Sequence, residues 1–231
     1  MNYNILNLII LILLFILLFI LIYKNILEHL FLKKKLCIII TTHINSNEKY
    51  NIYLPRVKKW IQTGYDIYLV DSNNKGLNIK YPNYKEYLFN QQNQKYYHSN
   101  VNSSILEINS LIKIINHFHL TTKYDYIYKV TGKYFINEYQ HLYINEKDTY
   151  DLILQSRCKM NFNNSEIVGF HSTKIISYLN YIINLKDTLF EKGLGNLKNN
   201  NKIKIKQLKP LTVVKLPNYV KRAYGDILTI L

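Results

Sequence analysis

Short apolar runs alternate with helix-spaced segments along this chain, and the alternation limits the folds open to it. Leu36-Cys37-Ile38-Ile39-Ile40-Thr41-Thr42 is an unbroken β-branched run of the kind buried on both faces of a parallel sheet. A helix is expected next, with Pro55 near its first turn, Val57, Trp60 and Ile61 on one face, and Gly64 as its stop. Asp66 to Asp71 reads as a second strand, Ser72 to Gly76 as a polar loop and Tyr84 to Phe89 as a third strand. The Asn/Gln-rich stretch from Asn90 to Asn100 reads as an exposed loop. Ser104 to Phe118 sets Ile105, Ile108, Leu111, Ile112 and Ile115 at helical spacing. The strand Tyr124 to Val130 follows, then strands at Asp151 to Gln155 and Glu166 to Phe170. Ser172 to Leu185 is an amphipathic helix with Ser172 as its cap, and Ile203 to Val214 reads as one or two strands interrupted by Pro210. This order predicts one α/β domain over residues 36–231 with a mostly parallel central sheet.

The segment before it obeys a different rule. From Ile5 to Ile22 the chain is apolar on every face, broken only by Asn7. That reaches the roughly 18 residues needed to cross a bilayer. No Lys or Arg precedes the run and no small-x-small cleavage site follows, which favours an anchor over a signal peptide. Residues 1–23 are therefore expected to form a single transmembrane helix, followed by a basic juxtamembrane linker, 24–35. Lys33-Lys34-Lys35 in that linker can meet anionic headgroups. By the positive-inside rule the globular domain lies on the cytoplasmic side. The sequons at Asn102 and Asn163 would suit a lumenal side, but so Asn-rich a chain produces them by chance.

The formal charge of +15 over 231 residues invites a nucleic-acid reading. The lysines are scattered, however, and arginine occurs only at Arg56, Arg157 and Arg222. A nucleic-acid partner is not expected, because that function needs a basic stripe interleaved with exposed aromatics. Two cysteines, Cys37 and Cys158, make neither a disulfide framework nor a zinc site. Gly-rich phosphate loops, Gly-x-Ser-x-Gly elbows and His-Glu-x-x-His motifs are absent from the sequence, as is an Asp-x-Asp pair at a strand end.

In parallel α/β sheets ligands sit beyond the carboxyl ends of the strands. Here those ends read Thr41-Thr42-His43, Asp71-Ser72-Asn73 and Thr131-Gly132-Lys133. Lys129 stands inside an otherwise apolar strand, where an unpaired charge is costly. Either it faces water on an edge strand, or its ammonium pairs with a ligand phosphate, with the Thr131 hydroxyl, the Gly132 amide and Lys133 adding donors. Asp71 suits hydrogen bonds from a base or ribose, or a turn stabilised through its own side chain. Glu107, three residues after Ser104, fits a capping box, and a ligand role is compatible with it. Glu166 opens the strand that contains Gly169 and is a candidate general base, or a solvent-facing strand end. Arg222 offers a planar fork to phosphate or carboxylate, or a surface ion pair.

The run Lys129-Val130-Thr131-Gly132-Lys133-Tyr134-Phe135 resembles the Lys-x-Thr-Gly-Arg-Tyr signature of small glycosyltransferase-like proteins of large DNA viruses and bacteria, considered to have a GT-A-type, Rossmann-related fold. The Trp60 helix leading to Val70-Asp71-Ser72-Asn73, the Glu107 helix, the Glu166 strand and Lys221 to Asp226 fit the same order. Lys133 stands where that signature has arginine. The resemblance implies transfer of a sugar from a nucleotide-sugar donor to a glycan, lipid or protein hydroxyl. It implies donor contacts from Thr41, Thr42, Asp71, Ser72, Asn73, Glu107, Lys129, Thr131, Gly132, Lys133, Tyr134 and Arg222. Catalytic roles fall to Glu166 or Asp226 as base and to Lys129. No metal ligands are assigned: Lys129 and Lys133, with Arg222, are expected to do the work of a metal, and manganese or magnesium is the alternative. A binding protein with a weakened site on the same fold is the competing function.

Overall fold

The computed structural model describes residues 11–20, 34–95, 97, 102–145, 147–156, 163–185 and 189–208. The chain divides into two units, Met1–Lys34 with Ile144–Asp148, and Lys35–Tyr143 with Thr149–Leu231. In the first, residues 11–20 are helical and all of their apolar side chains are exposed. No helix among the described residues is long and apolar enough to cross a membrane. Most of the expected anchor, 1–23, lies outside the described residues.

The second unit is built on a seven-stranded sheet in the order β3-β2-β1-β4-β6-β5-β7. The strands are β1 Leu36–Thr42, β2 Asp66–Asp71, β3 Tyr84–Leu88, β4 Tyr126–Thr131, β5 Leu152–Ser156, β6 Asn163–His171 and β7 Ile205–Leu208. β1 pairs in parallel with β2 and β4, β2 with β3, and β5 with β7. Only β6 runs the other way, antiparallel to both β4 and β5. The mostly parallel central sheet expected from the alternation is present. Pro210 and residues 209–214 of the last expected strand lie outside the described residues.

Helices cover the sheet: α1 Asn47–Gln62, α2 Ser103–Phe118, the short α3 Leu120–Lys123, α4 Ser172–Asn184 and α5 Phe190–Lys198. Side chains of a strand alternate between faces. Cys37 and Ile39 of β1, Ile127 of β4 and Val168 and Phe170 of β6 thus share a core with Ile108, Leu111 and Ile115 of α2, Leu179 of α4 and Phe190 of α5.

Several helix starts differ from expectation. α1 begins eight residues before Pro55, because Ser46 caps it by accepting the Lys49 amide at 3.2 Å. Pro55 thus sits inside the helix, where it withholds one amide from the ladder. α2 is capped by Asn102, whose side chain accepts the Ser104 amide at 2.8 Å, so the Ser104–Glu107 capping box does not form. α4 is capped by His171 rather than Ser172. Within the expected loop 90–100, Gln91–Asn93 forms a turn of 3-10 helix and Gln91 is buried.

Candidate active site

The carboxyl ends of β1, β2 and β4 lie side by side, as the register Thr41↔Val70 and Thr41↔Thr131 shows. The antiparallel β6 brings its beginning, not its end, to the same edge, since Ile167 pairs with Val130. The chain reaches β1's far side only after completing β2 and β3, so the strand order reverses between β1 and β4, the place where open α/β sheets take their ligands.

Period-two alternation puts Thr41, Lys129 and Thr131 on the face covered by α2. There Glu107 waits. Its Oε1 accepts the Thr41 hydroxyl at 2.8 Å and meets the Lys129 ammonium at 2.8 Å. Lys129 is 1% exposed. Its nitrogen also donates to Thr131 Oγ1 at 3.1 Å and to the Ser165 carbonyl, and lies 5.6 Å from the Phe190 ring centroid. An ammonium has three donors, and three protein acceptors take them. The charge of Lys129 is answered inside the protein by Glu107, not left open for a phosphate or for water on an edge strand.

Asp71 is fully buried and equally engaged. Oδ2 accepts the Thr42 hydroxyl at 2.9 Å and the Ile44 amide at 2.8 Å; Oδ1 accepts the amides of Asn73 at 2.9 Å and Lys75 at 3.2 Å. These four donors occupy the roughly four acceptor positions of a carboxylate. Of the two sequence readings, the turn-forming one describes these contacts. Asn73 Nδ2 adds a bond to the Ile44 carbonyl at 2.7 Å, and Ser72 Oγ lies 2.9 Å from His43 Nδ1.

The Gly132 amide is also used internally, donating to the Thr41 carbonyl at 2.9 Å. It is therefore not the anion donor expected of it. Glycine is required there for another reason. A Cβ would stand 2.6 Å from Thr42 Cγ2 and 3.1 Å from Thr41 O, so the turn is pressed against β1. Tyr134 is buried, and its carbonyl accepts the Trp60 indole N–H at 3.0 Å.

Lys133 is the exception among these groups. It is half-buried, and its ammonium lies 5.1 Å from the Tyr134 ring centroid. Among the described residues it makes no hydrogen bond or salt bridge. Burial lowers its pKa, Glu166 and Glu107 act against that shift, and Lys129 adds to it. Glu166, half-buried on β6, is thus close enough to feel this charge. Arg222 and Asp226 lie outside the described residues.

One tie escaped the sequence reading, and His43 was read there only as part of a polar strand end. Ser165 Oγ donates to Glu191 Oε1 at 2.5 Å, tying β6 to the first turn of α5 beside the candidate base. His43 stands at the end of β1 with its ring exposed. A signal for it was its place directly after Thr42; no local signal marked Glu191.

Manganese or magnesium, the alternative to the lysines, has no assigned ligands among the described residues. They contain no group of three His, Cys, Asp or Glu side chains placed to share one. Of the nearest carboxylates, Asp71 has its acceptor positions filled and Glu107 is ion-paired. A cavity of about 230 Å³ lined by Asp66, Tyr68, Lys85 and Tyr124 lies at the opposite, amino end of β2.

No family model and no curated protein matches the chain by sequence. Solved structures do. A mannosyltransferase from Pyrobaculum calidifontis, in complex with GDP-Man and Mn2+, aligns at TM-score 0.52 and 9% identity over 83% of this chain. This chain spans 59% of that protein's length. A glycosyltransferase involved in glycosylation of the major capsid of PBCV-1 aligns at TM-score 0.49 and 8% identity, over 75% of this chain and 81% of the other. A 4-diphosphocytidyl-2C-methyl-D-erythritol synthase from Anaerococcus prevotii aligns at 0.45 and 13%, over 76% and 88%. At such identities the likeness to the mannosyltransferase is one of fold, an α/β domain with GT-A-type neighbours.

Proposed function

We propose that this protein is a glycosyltransferase that moves a sugar from a nucleotide-sugar donor to an acceptor hydroxyl. The observation that carries the reading is Lys133. A half-buried cation with no hydrogen bond or salt bridge among the described residues is costly. It is held at the sheet edge where α/β folds take their ligands. A bound diphosphate would supply the missing hydrogen-bond acceptor.

The chemistry follows from that placement. The acceptor oxygen attacks the anomeric carbon, the bond from that carbon to the diphosphate breaks, and the diphosphate leaves with added negative charge. A cation fixed beforehand at that point stabilises the transition state more than the ground state. Lys129 acts one step back: it neutralises Glu107, which would otherwise repel the diphosphate. Glu107 Oε1 is bound twice, and the side chain remains about a quarter exposed, which leaves an acceptor for a hydroxyl of the donor. Glu166 takes the acceptor's proton in an inverting reaction. Thr41, Thr42, Asp71, Ser72, Asn73 and Gly132 shape the site rather than bind through their own polar groups. No step is assigned to a metal. Residues 5–23 are proposed to tether the chain to a membrane, with the domain on the cytoplasmic side and 24–35 against its headgroups.

Lys133 in place of the motif's arginine favours the second reading, a nucleotide-sugar or glycan-binding protein on the same fold. One experiment separates them. The full chain is screened by thermal shift against nucleotide sugars, with and without manganese, and each hit is assayed for release of nucleoside diphosphate. Turnover of a bound donor is expected. Binding without turnover would leave the second reading, and no binding would remove both.

A further inference from the structure

The amino end of β2 gathers a second set of charged side chains, none of them used by the chemistry just described. The cavity of about 230 Å³ there is lined by Asp66, Tyr68, Asn83, Lys85, Lys123 and Tyr124 among others. Asp66 and Asp71 mark the two ends of this six-residue strand, which are about 17 Å apart at 3.3 Å per residue. The cavity is therefore separate from the candidate active site. It is smaller than the roughly 300–1,000 Å³ of a drug-sized pocket, which limits its occupant to a small molecule or a headgroup.

The charges that line it are held in place without cancelling one another. Lys85 Nζ lies 6.0 Å from the Tyr68 ring centroid and 5.9 Å from that of Phe118. It makes no hydrogen bond or salt bridge among the described residues. Lys123 Nζ donates one hydrogen to the Phe118 carbonyl at 2.6 Å and keeps two more to give. Asp66 Oδ2 accepts the Tyr124 hydroxyl at 2.7 Å, and the Tyr124 oxygen lies 2.9 Å from that of Tyr68, which then donates to it. Asp66 Oδ1 accepts no hydrogen bond among the described residues. Asn83 spends both amide hydrogens on the Ile61 and Tyr65 carbonyls, at 3.0 and 2.8 Å, which leaves its oxygen as an acceptor. Two ammoniums and a carboxylate thus share one concavity, and among the described residues no salt bridge joins them.

That combination discriminates between ligands. The lysines attract a phosphate. The carboxylate repels a bare anion but accepts hydroxyls. Position adds a source. Lys35, the last residue of the basic linker, is clamped at the same amino edge of the sheet: its carbonyl accepts the amides of Asp125 and Tyr126 at 2.8 and 3.1 Å, and its amide donates to Asp125 Oδ2 at 2.8 Å. Asp125 directly follows Tyr124 of the cavity wall. A linker of this length reaches at most about 40 Å, so the tether proposed above keeps the edge close to headgroups.

We propose that this cavity is a second binding site, for a phosphate ester of a polyol, with Lys85 and Lys123 on the phosphate and Asp66 and Asn83 on the hydroxyls. A phospholipid headgroup and a soluble polyol phosphate share that chemistry, and the tether favours the headgroup. The site does not depend on the transferase reading.

The test is calorimetric titration of the full chain in neutral detergent with inositol monophosphate, inositol and inorganic phosphate. The monophosphate is expected to bind about tenfold tighter than either of the others, and K85A to lose about that factor, the worth of a charge-assisted hydrogen bond. Lys85 is exposed, so K85A should melt as the wild type does. D66N should narrow the lead of the monophosphate over inorganic phosphate, and K133A, at the other edge of the sheet, should change nothing here. Equal binding of monophosphate and inorganic phosphate, binding indifferent to K85A, or no binding overturns the site. Repeating the titration in nanodiscs separates the two sources. Discs with phosphatidylinositol are expected to abolish binding of the soluble ester, because their headgroups fill the cavity, while discs of equal charge with phosphatidylserine should not. Undiminished titration in both overturns the headgroup and assigns the site to a soluble ester.

Discussion

At the scale of single residues, the two lysines of the motif have different tasks. Lys129 is locked to Glu107, Thr131 and Ser165 and is itself almost fully buried. Removing one partner of a buried ion pair leaves the other uncompensated, at a cost of about 3–5 kcal/mol. K129M should lose that much stability in urea melts, and K129M/E107Q should recover a large part of it. Equal destabilisation of the single and double variants would show that the pair is not coupled. Lys133 should act on binding instead. K133A is expected to weaken nucleotide affinity about tenfold or more, the worth of a charge-assisted hydrogen bond, with little change in melting. K133R should preserve or raise it through its planar fork. The lowered pKa of Lys133 adds a pH signature. Between that lowered value and the ordinary lysine value, the unfolded chain holds a proton that the folded chain has released. Stability therefore rises with pH across that window, while nucleotide affinity falls. The same two titrations on K133R should be flat there. A wild type as flat as K133R would remove Lys133 from the site. The oddity of a lysine within an apolar strand was legible in the sequence. Its partner was not: Glu107 is 22 residues earlier and is brought near only when α2 packs on the sheet.

At the scale of elements, the strands were the most legible part. β1 and β2 are apolar runs with polar ends, and such runs have few alternatives in a parallel sheet. Helix limits were less so, because each depends on a single side chain. Asn102, not Ser104, closes the start of α2. N102A should therefore cost about 1 kcal/mol in chemical denaturation, while S104A should lose no cap bond. The reverse order would restore the capping box between Ser104 and Glu107, and with it a structural explanation of Glu107. Helix α5 was missed outright. Gly193 and Gly195 weaken its local preference. Gly193 is tolerated because the helix is pressed onto α4, where a Cβ would stand 2.5 Å from Ile182 Cγ2. Packing decides the helix here, and packing has no local spelling.

At the scale of the whole molecule, two claims concern how the domain meets its surroundings. If the apolar run spans a bilayer, the full chain should float with lipid vesicles and stay with them at high salt. If only Lys33 to Lys35 hold it, vesicles rich in anionic lipid should bind it at low salt and release it as charges are screened. Release at 1 M salt would end the anchor proposal. Fold class was readable from the order of runs alone. The direction of β6 was not, since an apolar strand carries no mark of which way it enters a sheet.

That reversed strand divides the labour of the site between two stretches of sequence. Everything proposed to hold the nucleotide comes from positions 36 to 133, while the proposed base and its support, Ser165 and Glu191, come from beyond 163. Exchange of the later stretch between related genes would therefore redirect such a protein to new acceptors and leave its choice of activated sugar intact.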